Sequence, residues 1–247
     1  MKYHLETFQN GLEELQIKLS EEQMDQFLIF YEMLVEKNKV MNLTAITEFD
    51  EVVVKHFLDS LSLCKIVDLT EEKEILDLGT GAGFPGIPLK IAFPDLKITL
   101  LDSLQKRILF LNETIHSLSL DHIQVIHGRA EEIARNISYR EYYDLCVSRA
   151  VANITTLSEY CLPFVKVGGR FISYKSSEIE EELQAGKRGI SLLGGEVTEV
   201  YHFTLPESDL KRSFVMIDKR KRTPKAYPRK AGTPSKSPLG QSEVSRE

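Results

Sequence analysis

Three cysteines in 247 residues are too few and too irregularly spaced to build a covalent framework. Cys64, Cys146 and Cys161 are odd in number, make no CxxC pair and fall inside apolar patterns, which argues against disulfides and thiolate metal sites. A reducing cytoplasm is the expected compartment. No run approaches the roughly 18 apolar residues of a membrane span, and the opening MKYHLETFQNGLEELQ has no apolar signal segment, so neither export nor embedding is expected. The six histidines are scattered, with no HxH pair or carboxylate cluster at metal-ligand spacing, and no metal is expected. A net charge of −6 argues against a uniformly basic nucleic-acid binder. Internal repeats are also missing.

What is present is an uneven charge and two rhythms. Between residues 218 and 238 stand eight Lys or Arg against one acid, Asp218, so the remainder is more acidic than the sum suggests. Leu5, Phe8, Leu12, Leu15 and Leu19 recur at helical spacing. Ser20 with Gln23 makes a capping-box signature before a second helix with Met24, Phe27, Leu28, Tyr31, Leu34 and Val35. Beyond the loop-like NKVMNLTAIT, the positions Val53, Phe57, Leu61 and Cys64 mark a third helix carrying His56 and Asp59 on neighbouring turns. Residues 1–70 therefore read as a helical cap. From residue 74, β-rich runs alternate with helical patterns: EILDLG, KITLLDS, IQVIHG, YDLCVSRA, GRFISYK, VTEVYHFTL and SFVMIDKR. Alternation of this kind predicts an α/β, doubly wound, mostly parallel sheet with right-handed crossovers over residues 71–218. Only PESDLKR separates the last two runs, so they are expected to pair antiparallel at the sheet edge. Seven strands ending in such a hairpin are the Rossmann-like arrangement of class I methyltransferases. The remainder, residues 219–247, is rich in Pro, Lys, Ser and Gly and reads as an extended or flexible basic tail.

The chemistry-bearing stretch is EILDLGTGAGFPGIPLK, in which a strand breaks into glycines 79, 81, 83 and 86 before a helix. Such a turn brings backbone N–H groups against a ligand at the carboxyl edge of a sheet. A P-loop would need Gly-Lys-Ser/Thr at its end, and GFPGIP has none. Two registers stay open. Gly81, Gly83 and Gly86 satisfy the GxGxxG of a dinucleotide fold, with Asp102 ending the next strand. Pro85 and Pro88, however, crowd the helix start where a pyrophosphate needs N–H donors. The alternative register, Asp77-x-Gly79-x-Gly81-x-Gly83, is similar to the S-adenosylmethionine (SAM) loop of class I methyltransferases, whose ligand carries no phosphate. A tight turn without any ligand is the third reading. Asp102 suits the two hydroxyls of a ribose, and equally a cap on the helix that begins near Gln105.

In order and spacing, NKVMNLTAIT, HFLDSL, ILDLGTGAGFPGIPL, LLDSLQKRILFL, GRAEE and SRAVA resemble the bacterial 16S ribosomal RNA guanine-N7 methyltransferases known as RsmG or GidB. The resemblance runs from residue 12 to 217. It implies a SAM-dependent enzyme acting on N7 of a guanine in 16S ribosomal RNA, free or within a 30S subunit. Residue by residue it implies that Gly79 and Phe84 line the SAM pocket and that Asp102 meets the ribose, while the SAM-loop register adds Asp77 and Gly81 as candidate cofactor residues. Ala130 and Glu131 would face the adenine, with Arg149 at the edge shared by cofactor and substrate, where it is the candidate catalytic residue.

The chemistry agrees with that implication. Guanine N7 has an in-plane lone pair and needs no deprotonation, so alignment is the main requirement and no general base is obligatory. The Asp/Asn-Pro-Pro-Phe/Tyr motif of exocyclic-amine methylation would fall where this chain reads SRAVAN, and no Pro-Cys nucleophile is present for pyrimidine C5 chemistry. For the tail, Lys219, Arg220, Lys221, Arg222, Lys225, Arg229 and Lys230 are candidate phosphate contacts and Tyr227 a stacking residue. Nothing in the sequence demands more than a monomer.

Overall fold

The Ser20–Gln23 signature forms both arms of a capping box, and this fixes where the second helix begins. Gln23 N–H donates to Ser20 Oγ at 3.1 Å, while Gln23 Oε1 accepts from Ser20 N–H at 2.8 Å. These contacts belong to a computed structural model that describes residues 3–71, 73–149, 152–176 and 178–240. Seven strands form one sheet in the order β3-β2-β1-β4-β5-β7-β6. They are β1 (Glu74–Leu78), β2 (Lys97–Asp102), β3 (Ile123–His127), β4 (Tyr143–Ser148), β5 (Val165–Ser176), β6 (Gly195–Thr204) and β7 (Lys211–Lys219). The chain folds as two compact units, residues 1–127 with 203–212 and residues 128–202 with 213–247.

In the first unit, α1 (Glu6–Glu14) stops short of the expected Leu19 because the chain turns left-handed at Gln16, φ 58°. The next helix, α2 (Glu21–Met41), ends on Asn42 in the left-handed region, where its N–H still reaches Asn38 O. The third helical run begins at Phe49, four residues before the apolar spacing indicated, as α3 (Phe49–Val52). It continues as a π-helical stretch (Val53–Leu58), α4 (Asp59–Leu61) and a 3-10 turn (Ser62–Lys65). Phe49 starts it because its ring stacks on Tyr3 at 4.6 Å and meets Tyr31 edge-on at 5.0 Å. Phe8, Phe27, Phe30 and Phe57 form a buried aromatic core, with Phe8–Phe27 and Phe27–Phe57 centroids each 5.0 Å apart. Phe84, from the glycine loop, joins it 5.2 Å from Phe30. That insertion explains why no boundary between compact units falls at residue 70. The three strands β1, β2 and β3 pair in parallel, with Asp77 beside Leu100 and Asp102 beside His127. Helices α5 (Gly86–Ala92) and α6 (Gln105–Ser117) connect them.

The second unit contains α7 (Ala130–Ile133), α8 (Ile154–Cys161), α9 (Glu180–Leu192) and α10 (Thr233–Lys236). Here β4 and β5 pair in parallel through an irregular register, Tyr143 with Val165 and then Leu145 with Arg170. Gly168, at φ +88°, carries the extra residues, so β5 starts four residues before the expected Gly169. The expected terminal hairpin is present in β6 and β7, and its turn is closed by Leu205 N–H to Leu210 O at 2.9 Å.

The extended, flexible tail is corrected as far as residue 240. Arg135 and Arg140 donate to the carbonyls of Pro228, Tyr227 and Thr223, and Leu239 is buried against Gly189. Composition misled here because this segment meets its backbone needs through side chains elsewhere in the unit rather than through a periodic element. Residues 241–247 lie outside the described residues. Lys219 is likewise removed from any phosphate-binding role. It is 1% exposed, and its ammonium donates to Leu162 O, Val165 O and Thr223 Oγ1, with Glu141 3.5 Å away.

Burial pushes the Lys219 ammonium down to about 8 from its ordinary 10.5, although Glu141 opposes the shift. Between those two values the unfolded chain binds more protons than the folded one, so stability attributable to this group rises with pH across the window. Relative to Lys219→Met, the native protein should therefore gain on the order of 3 kcal/mol between pH 8 and 10.5, measured by urea unfolding at each pH. A difference that stays flat or falls would contradict the burial argument.

Candidate functional site

The glycine loop is organised by a carboxylate behind it. Asp77, wholly buried one residue before the end of β1, accepts through Oδ2 from Gly86 N–H at 2.8 Å and from Thr80 Oγ at 2.6 Å. Asp77 was expected to line the ligand pocket. Its carboxylate instead braces the loop from within, because the turn presents an N–H and a hydroxyl to the same oxygen. A Cβ added at Gly86 would lie 2.3 Å from Leu100 Cδ2 and 2.9 Å from Asp77 Oδ2, so helix and strand approach too closely for any other residue. Gly81 is glycine for a different reason: it sits at φ +63°, and a Cβ there would meet nothing within 4 Å. Gly79, at φ +73°, has the same open side. The loop is thus packed behind and open in front.

The first turn of α5 has few donors to offer. Gly86 N–H is held by Asp77, Ile87 N–H donates to Gly83 O at 2.7 Å, Pro88 has none, and Leu89 N–H donates to Pro85 O at 3.2 Å. A pyrophosphate needs donors at that turn, and a buried carboxylate directly behind it is repulsive to an anion. The dinucleotide register therefore fails on geometry, although its three glycines are present.

Asp102 turns the chain into α6 without capping that helix, whose N-cap Leu104 has no side-chain cap bond, and it keeps a place at the loop. Oδ1 accepts from Leu104 N–H at 2.9 Å, ahead of α6, while Oδ2 accepts from Gly81 N–H and from Arg107, each at 3.0 Å. An ionised carboxylate has about four lone-pair sites, so a sugar hydroxyl can still share it. Phe84 is 5% exposed; its ring stacks on His56 at 4.6 Å and turns into the aromatic core, leaving backbone and ring edge for a ligand. His56 Nε2 lies 2.9 Å from Thr44 Oγ1, and Asp59 pairs with Arg212 at 3.1 Å.

In the second unit, Ala130 and Glu131 open α7, and Glu131 Oε1 accepts from Gly232 N–H at 2.8 Å. Arg149 follows β4 directly and is half-buried, while Ala150 and Val151 of SRAVA lie outside the described residues. Among the tail cations, Arg229 forks onto the buried Glu159, with its NH2 group 2.7 Å from Oε2, and is neutralised by that pair while a quarter of its side chain stays exposed. Arg220, Lys221, Arg222, Lys225 and Lys230 remain exposed. Arg220 is partly neutralised by Glu196 at 2.7 Å and Asp218 at 3.1 Å. With Lys187, Arg220 and Lys221 rim a groove of about 690 Å³ floored by Leu183, Ile190 and Val197. Sequence reasoning missed Thr80, Arg107 and Gly232. The Asp77-x-x-Thr80 spacing was the only legible signal among these.

Among the described residues, no helix is long and apolar enough to cross a membrane, and no group of three His, Cys, Asp or Glu is arranged to hold a metal ion. None of the three cysteines forms a disulfide.

A family model described as rRNA small subunit methyltransferase G matches residues 23–213. A protein of Lachnoclostridium phytofermentans named ribosomal RNA small subunit methyltransferase G is 54% identical over 94% of this chain and 96% of its own. One of the same name from Alkaliphilus metalliredigens is 53% identical over 93% and 96%. Among solved structures, MtNAS in complex with MTA and tNA superposes with a TM-score of 0.54 at 15% identity, covering 81% of this chain and 74% of that one. SibL, described as an S-adenosylmethionine-dependent methyltransferase, gives 0.51 at 18% identity over 66% and 55%. At such identities the likeness shows the fold alone, and that fold is the class I methyltransferase sheet.

The two glycine roles predict different costs. Gly86→Ala should lower the unfolding free energy by roughly 2–3 kcal/mol through overpacking and loss of the Asp77 bond. Gly81→Ala should cost roughly 1 kcal/mol from its backbone angle alone. Urea unfolding measures both, and equal costs would show that the packing behind the loop is not what makes it rigid.

Proposed function

The chain belongs to the rRNA small subunit methyltransferase G family, and we propose that it transfers the methyl group of SAM to N7 of a guanine in 16S ribosomal RNA. The observation that carries the choice of donor is the spent first turn of α5, backed by the buried Asp77 carboxylate. A sulfonium cation without phosphates suits that environment, and a pyrophosphate does not. Bound SAM supplies an electrophilic methyl group on a positively charged sulfur.

The chain's part is binding and alignment. Gly79 and Gly81 leave the front of the loop open, Asp102 offers a carboxylate to the ribose hydroxyls, and Ala130 and Glu131 meet the adenine. Arg149 is assigned to the edge shared by cofactor and RNA, where its guanidinium suits a carboxylate or a phosphate. With SAM bound, the N7 lone pair would take the methyl group in place of its bond to sulfur, and the C–S bonding pair would stay with sulfur. The guanine takes up the positive charge that sulfur gives up. No proton has to move, so the site needs positioning groups rather than a base. N7 faces the deep, narrow groove of A-form RNA, which makes the target a loop, bulge or extruded nucleotide. The reading includes a cytoplasmic monomer acting on free 16S RNA or a 30S subunit, because the cytoplasm is where bacterial ribosomal RNA is assembled.

Lys221, Arg222, Lys225 and Lys230 are the proposed phosphate contacts, with Arg220 weakened by its acidic partners. Lys219 contacts the first residue of β5, so Arg220–Arg222 follow at the amino end of that strand, whereas Arg149 follows the carboxyl end of its neighbour β4. Phosphates met by Arg220–Arg222 accordingly belong to RNA remote from the methylated base.

Radiolabelled SAM incubated with RNA or 30S particles from cells lacking this protein should label one guanine at N7, with the nucleotide mapped after reaction. An absence of incorporation into either substrate would sink the proposal. SAM but not NADH should raise the melting temperature. Changing Lys221, Arg222, Lys225 and Lys230 together to alanine should flatten the slope of log affinity against log salt by roughly 3 while leaving SAM binding unchanged. An unchanged slope would remove these residues from the RNA interface.

A further inference from the structure

The segment from Pro224 to Gly240 is a strap on the second unit, and Arg229 ties it to a buried carboxylate. Arg229 forms a forked pair with Glu159 of α8, Nε to Oε1 at 3.0 Å and NH2 to Oε2 at 2.7 Å, and its backbone N–H adds a third bond to Oε1 at 2.7 Å. Glu159 has no solvent exposure, so this pair is the strap's fixed point. At the other end Leu239 is buried on α9 so tightly that a Cβ at Gly189 would lie 2.9 Å from Leu239 Cβ. Thr156 Oγ1 donates to Pro234 O at 3.1 Å between the two. At Gly232 the strap turns left-handed, φ +81°, and this aims the Gly232 N–H at Glu131 Oε1, 2.8 Å away. Ser235 Oγ closes the same turn on Gly232 O at 3.1 Å.

Glu131 is 5% exposed and stands in the first turn of α7, which has only four residues. A helix of one turn has no stability of its own, because nucleation fixes several dihedrals for a single hydrogen bond. The place of Ala130 and Glu131 therefore depends on tertiary contacts, and the buried carboxylate is one that the strap controls. We propose that the strap is a positioning element for the cofactor site, in which Arg229 and Gly232 act through Glu131 to hold the Ala130–Glu131 segment where the adenine of SAM meets it. This rests on the reading above that Ala130 and Glu131 serve the adenine. It gives the basic C-terminal segment a role in SAM affinity, apart from any contact with RNA.

The test is a double-mutant cycle in the full-length enzyme, using Arg229→Ala, Glu131→Ala and the pair, with SAM affinity measured by calorimetry and KM for SAM and RNA determined separately. Each single change is expected to raise the SAM dissociation constant about tenfold and leave the KM for RNA unchanged. The double change should be no worse than the weaker-binding single, because both act through one contact. Arg229→Lys should recover part of the loss, since it keeps the charge but not the fork. If Glu131→Ala weakens SAM while Arg229→Ala does not, or if the two losses add, the strap is not a positioning element. If neither alters SAM affinity while methyl transfer continues, the adenine assignment itself is wrong. Should Arg229→Ala fail to fold, Leu239→Ala at the far anchor carries the same cycle with the same outcomes.

Discussion

A single buried carboxylate sets the form of the glycine loop, and the choice of ligand depends on it. Asp77 is ionisable, has no solvent exposure and stands one residue before the end of the strand β1. A charge so placed must be met by donors, and Gly86 N–H and Thr80 Oγ supply them within 2.8 Å and 2.6 Å. Meeting that demand pulls the start of α5 onto β2 closely enough that only glycine fits at 86. It also removes from the helix start the N–H that an anionic ligand would use. One interaction thus tightens the back of the loop and determines what its front can bind.

The same logic of burial separates residues that look alike in sequence. Lys219 and Lys221 stand two apart in one basic run, but the first has its ammonium among carbonyls and the second reaches solvent. Arg229 and Lys230 are adjacent, and only the first meets a buried glutamate. Charge counted along the chain says that cations are available. Whether each cation serves the fold or a partner is decided by the desolvated group it happens to face, and that group lies 54 to 70 residues away.

This difference also explains what was legible beforehand. The capping box at Ser20, the seven β-rich runs and the terminal hairpin are local patterns, and each occurs as an element. Asp102 offered two roles, and the structure shows a turn onto Leu104 N–H just ahead of α6 and a contact to Gly81 rather than a side-chain cap of the helix. By contrast, Phe49 as a helix start, the bulge at Gly168 and the bracing role of Asp77 arise from tertiary contacts with no periodic signature. The tail was the largest misreading, since Pro and Lys content imitates disorder when the donors that order it, Arg135 and Arg140, are about ninety residues upstream.

An enzyme that works by positioning can distribute its charged residues for rigidity rather than for proton transfer. Methyl transfer to a ring nitrogen, the reaction proposed for this chain, asks for no proton shuttle, so no carboxylate has to be kept ready to titrate. Asp77, Glu131 and Glu159 are instead used as fixed acceptors, each bonded to a backbone N–H from a segment that has to be held: Gly86, Gly232 and Arg229 respectively. A backbone N–H cannot be removed by most substitutions and cannot swing away as a side chain can, which makes it a stiff partner for an ionised oxygen. The buried acids of this chain therefore act as struts, and what they set in place is backbone.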